Sequence, residues 1–141
     1  MTREITPQGK TAEIKVFDND GGSQVAKFWE NGKRKSWESY GSDGLCWYIT
    51  KYNKQGVPTE GIAFANGSNI IMSEQTLYQS NGNPKLTKLF NDNGILEEVN
   101  YYDEQANKLY TEIYSEDGKT VEAIREYDDT GQQIKYRSVI S

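Results

Sequence analysis

Three groups of residues in this sequence carry chemically useful side chains: one thiol, several carboxylate pairs, and a tryptophan-rich window flanked by bases. The 141 residues include no histidine, which removes every Ser–His, Cys–His and His–metal arrangement. Cys46, in GLCWY, alternates within a strand-like stretch, and no base is near it in sequence. A thiolate nucleophile needs a cationic neighbourhood, so Cys46 reads as a structural thiol. The acidic residues cluster as Asp18 with Asp20, Asp92, Glu97 with Glu98, Glu116 with Asp117, and Asp128 with Asp129. Paired carboxylates hydrolyse glycosides when held about 5–10 Å apart with one pKa raised by burial. Most of these lie in turn-like segments, where carboxylates stay solvated and ordinary. DNDG (18–21) and NDNG (91–94) resemble fragments of calcium loops, yet lack the remaining ligand spacing and the distal bidentate glutamate. Phosphate-loop and dinucleotide fingerprints are absent too. The sequence therefore predicts a non-enzyme, with no catalytic residues, no metal and no cofactor.

The third group is the better candidate. Trp29, Trp37 and Trp47 fall within one 19-residue window, with Tyr48 beside the last and Lys33, Arg34 and Lys35 between the first two. An exposed aromatic patch of this kind marks a protein interface or a sugar-stacking surface. The plainer reading is packing on the second face of a sheet, with a solvated basic turn. Trp29, Lys33, Arg34, Lys35, Trp37, Trp47 and Tyr48 form the candidate binding set.

These residues sit on a repeating frame. An aromatic followed four residues later by glycine recurs as FDNDG, FWENG, YGSDG, YNKQG, YQSNG, FNDNG, YSEDG and YDDTG, with degenerate rungs at FANG (64–67) and YDEQAN (102–107). The leading aromatics are Phe17, Phe28, Tyr40, Tyr52, Phe64, Tyr78, Phe90, Tyr102, Tyr114 and Tyr127, spaced by 11, 12, 12, 12, 14, 12, 12, 12 and 13 residues. Asn-Gly and Asp-Gly supply the positive-φ residues of tight hairpin turns, and Asn, Asp and Ser before glycine bond locally to the backbone. At 102–107, Asn107 is the expected left-handed substitute for the missing glycine. Removing a turn from each twelve residues leaves strands of about seven or eight residues, which fits the alternation of Leu45, Trp47 and Ile49. The expected fold is all-β: an antiparallel meander of ten or eleven strands spanning residues 1–141 as a single domain, forming an open or curled single sheet or a partly closed barrel. A glycine-bulge turn would place every frame aromatic on one face and a plain two-residue turn would alternate them between faces; the single-face arrangement is the one expected. The irregular spacer SNIIMSEQT (68–76) is the expected insertion, bulge or corner, dividing the chain into two sheets or two halves of one.

Bulk composition bounds the function. The chain is 35% hydrophobic, with mean hydropathy −0.85, and carries 17 aromatics. That suits a thin fold with few fully buried positions rather than disorder. A net charge of −5 disfavours nucleic acid, whose affinity rests on clustered bases, and favours a basic protein partner. No apolar run reaches the roughly 20 residues of a membrane span. The stretch MTREITPQGKTAEIKV lacks an apolar signal core, and a lone cysteine suits a reducing interior, so the cytoplasm is the expected location. Exposed edge strands would allow pairing with a second copy of the chain.

The units FWENGKRKSWESYGSDG (28–44) and LYQSNGNPKLTKLFNDNG (77–94) resemble the bacterial variant of MORN repeats, with Phe28, Trp29, Asn31, Gly32 and Lys33 matching its opening. The similarity covers roughly residues 17–137. After residue 95 the units drift towards YDDTGQQIKY, which is similar to YD repeats. The resemblance implies a strand-repeat fold. It also implies an antitoxin, an immunity protein or a phage-encoded counter-defence inhibitor that grips another protein through its sheet. The alternative is a carbohydrate-binding module, because WYITKYNKQGVPTEGIAFANG (47–67) resembles wall-binding repeats in which aromatics line sugar sites. Lipid association, known for some MORN proteins, is disfavoured by the negative charge.

Overall fold

A computed structural model describes residues 2–5, 9–65 and 71–139. Twelve strands follow one another: β1 (Thr2–Ile5), β2 (Thr11–Phe17), β3 (Ser23–Phe28), β4 (Arg34–Tyr40), β5 (Cys46–Tyr52), β6 (Pro58–Phe64), β7 (Met72–Tyr78), β8 (Pro84–Phe90), β9 (Leu96–Tyr102), β10 (Lys108–Tyr114), β11 (Val121–Tyr127) and β12 (Gln133–Ser138). Every strand pairs antiparallel with its sequence neighbours in a single sheet, and β1 does not meet β12, so the sheet is an open meander rather than a barrel. No helix occurs among the described residues. The strand count exceeds the expected ten or eleven because β1 precedes the first frame aromatic and β12 follows the last.

The turns account for the spacing. In the hairpin between β3 and β4 the Gly32 N–H donates to the Trp29 carbonyl at 3.0 Å, and the Trp29 N–H donates to the Lys33 carbonyl at 2.8 Å. This is a three-residue glycine-bulge loop closed by Trp29 and Lys33, and the frame aromatic Phe28 is the strand residue just before that closing pair. Glycines 21, 32, 44, 56, 82, 94, 118 and 131 all occupy the left-handed region in this way. A side-chain oxygen satisfies the turn's own N–H groups. Asp103 Oδ1 accepts from Gln105 and Asn107 at 2.9 Å each, and Asn53 Oδ1 accepts from Gln55 and Val57 at 2.9 and 3.1 Å. In the glycine-free turn Ala106, not Asn107, holds the left-handed conformation, with φ 68°. The position is dictated by its place four residues after Tyr102, not by which nearby residue tolerates it best.

The frame aromatics alternate between faces, contrary to the single-face expectation. The glycine bulge does shift side-chain parity by one, but a second offset at the start of the following strand shifts it back. Ser39 faces Tyr48 and Tyr40 faces Cys46, which leaves Trp47 without a cross-strand partner. The β2–β3 ladder has no second offset, and there the spacing is 11 rather than 12. As a result Phe28, Tyr52, Tyr78, Tyr102 and Tyr127 lie on one face at one end of the sheet. Phe17, Tyr40, Phe64, Phe90 and Tyr114 lie on the other face at the opposite end.

The first of these, here the threonine face, has a central row in which Thr50, Gly61, Thr76, Thr87, Asn100 and Thr111 are successive cross-strand partners. Small side chains leave room for the tyrosines to lean over the row. Tyr127 Oη is 3.2 Å from Thr111 Oγ1, and a Cβ on Gly61 would sit 3.1 Å from Tyr48 Oη and 3.3 Å from Tyr78 Oη. Thr111 is 1% exposed and Val99 2%, the deepest positions in a sheet with few others so enclosed. The opposite, charged face carries Lys27–Glu38, Lys51–Glu60 and Arg137–Glu126 pairs at 3.0, 3.4 and 3.9 Å.

Turns at the same end also touch one another across the intervening strand. Asn31 Nδ2 donates to the Lys54 carbonyl at 2.7 Å, and Asn81 Nδ2 donates to the Glu104 carbonyl at 2.9 Å, so these two asparagines each clip their turn to the next one at the same end. Of the insertion, bulge or corner expected at 68–76, the sheet shows an insertion and no division into two. Residues 68–70 lie outside the described residues, whereas 72–76 belong to β7, which pairs regularly with β6 on one side and β8 on the other. The 14-residue spacing arises from a longer connection, closed by the Ala65 N–H donating to the Ile71 carbonyl at 2.7 Å.

Three substitutions check the turn physics. Ala106→Gly relieves a left-handed Cβ and is expected to stabilise by about 1 kcal/mol, read as a rise of a few degrees in melting temperature. Gly118→Ala is expected to destabilise more than Gly32→Ala. Its Cβ would lie 2.8 Å from Ile95 Cγ2 and 3.1 Å from the Leu96 backbone, whereas the Gly32 Cβ would meet nothing within 4 Å.

Candidate functional site

The Trp29 turn is where the sheet, its side-chain clips and its charge produce a hollow. Trp29 is the first residue of the loop after β3 and is half-buried. Its Nε1 donates to the Asn53 carbonyl at 3.1 Å, which fixes the indole against the next turn at that end. Lys35 Nζ and Lys54 Nζ lie 4.9 and 5.7 Å from the ring centroid, within cation–π range. Lys10 Nζ reaches the Glu30 carbonyl at 2.8 Å. Phe28, Trp29, Glu30, Asn31, Lys35 and Lys54 line a hollow of about 480 Å³. A second hollow of about 500 Å³ continues along the charged face past Lys27, Ser36, Glu38, Ile49 and Lys51, with Trp29 and Lys35 lining both.

The candidate binding set does not form one patch. Trp29 and Lys35 belong to the hollows beside the charged face. Trp37 and Tyr48 lie on the threonine face, because Trp37 pairs with Ala26 and Thr50, and Tyr48 pairs with Ser39 and Ala63. Arg34 stays with Trp37, its guanidinium 4.8 Å from the ring. Lys33 lays its Cδ 3.3 Å from the site a Gly56 Cβ would occupy, a packing contact between turns. Trp47, at the second offset of β5, is 58% exposed and stands apart from the hollows. Sequence proximity grouped these residues, and strand alternation separates them. Lys54, Asn31 and the charged-face pair Lys27–Glu38 escaped that reading. For Asn31 and Lys54 the signal was the 23- and 24-residue spacing that links turns at the same end of the sheet; Lys27 and Glu38 meet across neighbouring strands, 11 residues apart.

Glu38 is the most enclosed carboxylate, its side chain 8% exposed, with Lys27 Nζ at 3.0 Å. Ser36 Oγ donates to it at 3.0 Å and Tyr40 Oη at 2.6 Å. Burial pushes its pKa up, but bonds from Tyr40, Lys27 and Ser36 outweigh that and hold it below the ordinary value of 4.5. The same bond to Glu38, against burial, raises Lys27. Burial raises Tyr40, with the Glu38 bond acting in the same direction. The arrangement is fully partnered, so it supplies a fixed charge rather than a mobile proton. Glu112 repeats it further along the face, taking Tyr101 Oη at 2.6 Å and Tyr114 Oη at 3.3 Å.

The other candidate chemistry resolves into structure. Cys46 is buried, and desolvation lifts its thiol pKa, the opposite of what a nucleophile needs. The turn carboxylates cap N–H groups. Asp20 accepts from Gly22, Asp43 from Leu45 and Asp117 from Lys119, each at 3.0 Å. Hydroxyls and N–H groups, the Ser115 hydroxyl foremost at Asp117 and the Thr130 hydroxyl at Asp128, hold those two carboxyls below the usual range. Among the described residues, no three Asp, Glu, Cys or His side chains gather as metal ligands. No helix among them is long and apolar enough to cross a membrane.

No family model and no curated protein matches this sequence. Among solved structures, the chain is similar to parts of larger bacterial proteins. The accessory secretory proteins 1, 2 and 3 of Streptococcus pneumoniae match at 14% identity, over 72% of this chain and 19% of that one, with TM-score 0.47. The pneumococcal O-GlcNAc transferase GtfA matches at 18% identity, over 75% and 21%, with TM-score 0.48. TarM of S. aureus matches at 9% identity, over 72% and 20%, with TM-score 0.47. The chain spans about a fifth of the length of these proteins.

The Glu38 cluster has a pH signature. A depressed carboxyl contributes its full stability above about pH 4.5 and loses it as pH falls through the lower folded value. Lys27, raised, contributes below about pH 10.5 and loses its share as pH climbs past its folded value. Glu38→Gln is expected to cost about 1–3 kcal/mol at neutral pH and to flatten the acid limb of the stability–pH curve, measured by urea unfolding from pH 7 to pH 2.

Proposed function

We propose that this chain is a non-catalytic protein-binding module, acting in the cytoplasm as an inhibitor of the antitoxin, immunity or phage counter-defence kind. The observation that carries the reading is the Trp29 hollow, in which a clipped indole stands beneath two lysine ammonium groups and opens onto the charged face. A rigid aromatic with flanking cations is the side-chain composition of interface anchors. Its rigidity reduces the ordering cost of binding. Charge is uneven along the chain. Up to residue 71 there are nine Lys and Arg against eight Asp and Glu, and beyond it seven against thirteen. An acidic segment of the partner therefore fits the Trp29 hollow, while the acidic C-terminal strands attract a basic surface of the same partner.

A second reading rests on Trp47, a residue 58% exposed beside Tyr48 at 37%. A free aromatic face of this kind suits stacking on a sugar ring, and the chain would then be a glycan-binding module.

Affinity capture from the native host, using the wild-type chain and Trp29→Ala with Lys35→Glu, separates the two. One specific protein partner is expected, with the double variant weakening it about thirtyfold or more while circular dichroism stays native. Capture of no specific protein, together with glycan-array binding abolished by Trp47→Ala, would replace the proposal with the second reading.

A further inference from the structure

The two outermost strands are the least covered elements of the sheet. Every described residue of β1 and β12 is exposed, and each strand pairs on one side only. An edge of this kind presents unpaired N–H and C=O groups and is a template for another strand. The apolar side chains there are unusually open, with Ile134 64%, Tyr136 56% and Ile5 58% exposed.

The repeat frame states how a thirteenth strand would lie. In the regular ladders, the residue three before one frame position pairs with the residue two before the next. Val25 pairs with Glu38, Trp37 with Thr50, Gln75 with Lys88, and Thr87 with Asn100. Ile5 occupies a frame position. It lies twelve residues before Phe17, pairs with Thr11 as Tyr40 pairs with Cys46, and is followed four residues on by the left-handed Gly9. Val139 occupies another, twelve residues after Tyr127. A β1 strand laid on β12 by the same rule pairs Tyr136 with Arg3, and antiparallel neighbours follow: Lys135 with Glu4, Ile134 with Ile5, and Arg137 with Thr2.

Each of those four pairs lies on a common face, and three of them are chemically matched. Tyr136 shares the threonine face through Arg125, and Arg3 shares it through Ile14. Lys135 shares the charged face through Glu126, and Glu4 through Glu13 and Lys27. The matched three are one ion pair, one arginine against a tyrosine ring and one pair of isoleucines, the cross-strand combinations that stabilise a sheet. Pairing β12 with a second β12 does the reverse, because face-matched antiparallel registers centred on the strand set Lys135 against Arg137 or against itself. We propose that β1 of a second copy of this chain adds to β12 in this register, so that copies join head to tail into one continuous sheet. Such a contact is heterologous and does not close on a dimer. It lies at the sheet's edges and is independent of the Trp29 hollow.

Sedimentation velocity of the 141-residue chain over a range of concentrations tests this. Average mass is expected to rise steadily with concentration. Glu4→Lys and Lys135→Glu are each expected to weaken association about tenfold. An equimolar mixture of the two variants is expected to recover it, because each then meets the opposite charge on the other. Circular dichroism and thermal melting confirm that both variants are folded. A monomer at every concentration, a discrete dimer indifferent to Glu4→Lys, or a mixture no stronger than its components would each overturn the proposal.

Discussion

The structure depends on a backbone conformation that only a few residues adopt cheaply: a left-handed residue closing each five-residue connection. A sheet one layer thick has no second layer to collapse against, so nothing else forces each strand back alongside its neighbour. The reversal has to come from the turn. Glycine provides it at eight of the regular turns, and Ala106 is held in the same conformation at a ninth, with Asp103 accepting two backbone N–H groups of that loop. The side-chain oxygen at the first or third loop position and the left-handed residue at the fourth act as one unit. That is why carboxylates recur in the turns, where they accept backbone N–H groups.

From the turns follows the distribution of everything else. Two successive one-residue offsets per hairpin send aromatics to alternate faces at alternate ends, so neither face becomes a continuous apolar surface. One face fills its centre with threonines, a glycine and an asparagine under leaning tyrosine rings. The other fills its rows with aliphatic residues, paired charges and glutamates that hold tyrosine hydroxyls. Side chains in such a sheet bury one another along and across strands. The few nearly inaccessible positions, Thr111 and Val99 among them, lie in central rows with strands on both sides. The same geometry brings turns two strands apart into contact. At Trp29 those contacts hold an indole in place and gather Lys35 and Lys54 around it.

Much of the fold was legible in the chain. The aromatic–glycine frame gave away strand lengths, turn positions and the antiparallel meander, because turn chemistry is local and leaves its residues in fixed order. Even the spacings of 11 and 13 have local causes, a missing offset after Phe17 and a longer loop after Tyr114. Less of the site was legible. Trp37 and Trp47 were grouped with Trp29 through closeness in sequence, yet a strand sends neighbouring side chains to opposite faces and an offset changes which face is which. Lys54, which does stand over Trp29, is 25 residues away and becomes its neighbour only because turns recur at the same end every second strand.

By itself, then, the sequence determined the reversals: a glycine or its stand-in every twelve residues, and therefore a ladder of antiparallel strands. Local dihedral preferences suffice for that. Face, neighbour and edge were decided only by the folded sheet, since they depend on cross-strand register. A single unpaired residue such as Trp47 switches the side on which every later residue of its strand emerges. Whether strands curl to closure or leave β1 and β12 open is likewise a property of all twelve strands together, and no one turn contains it.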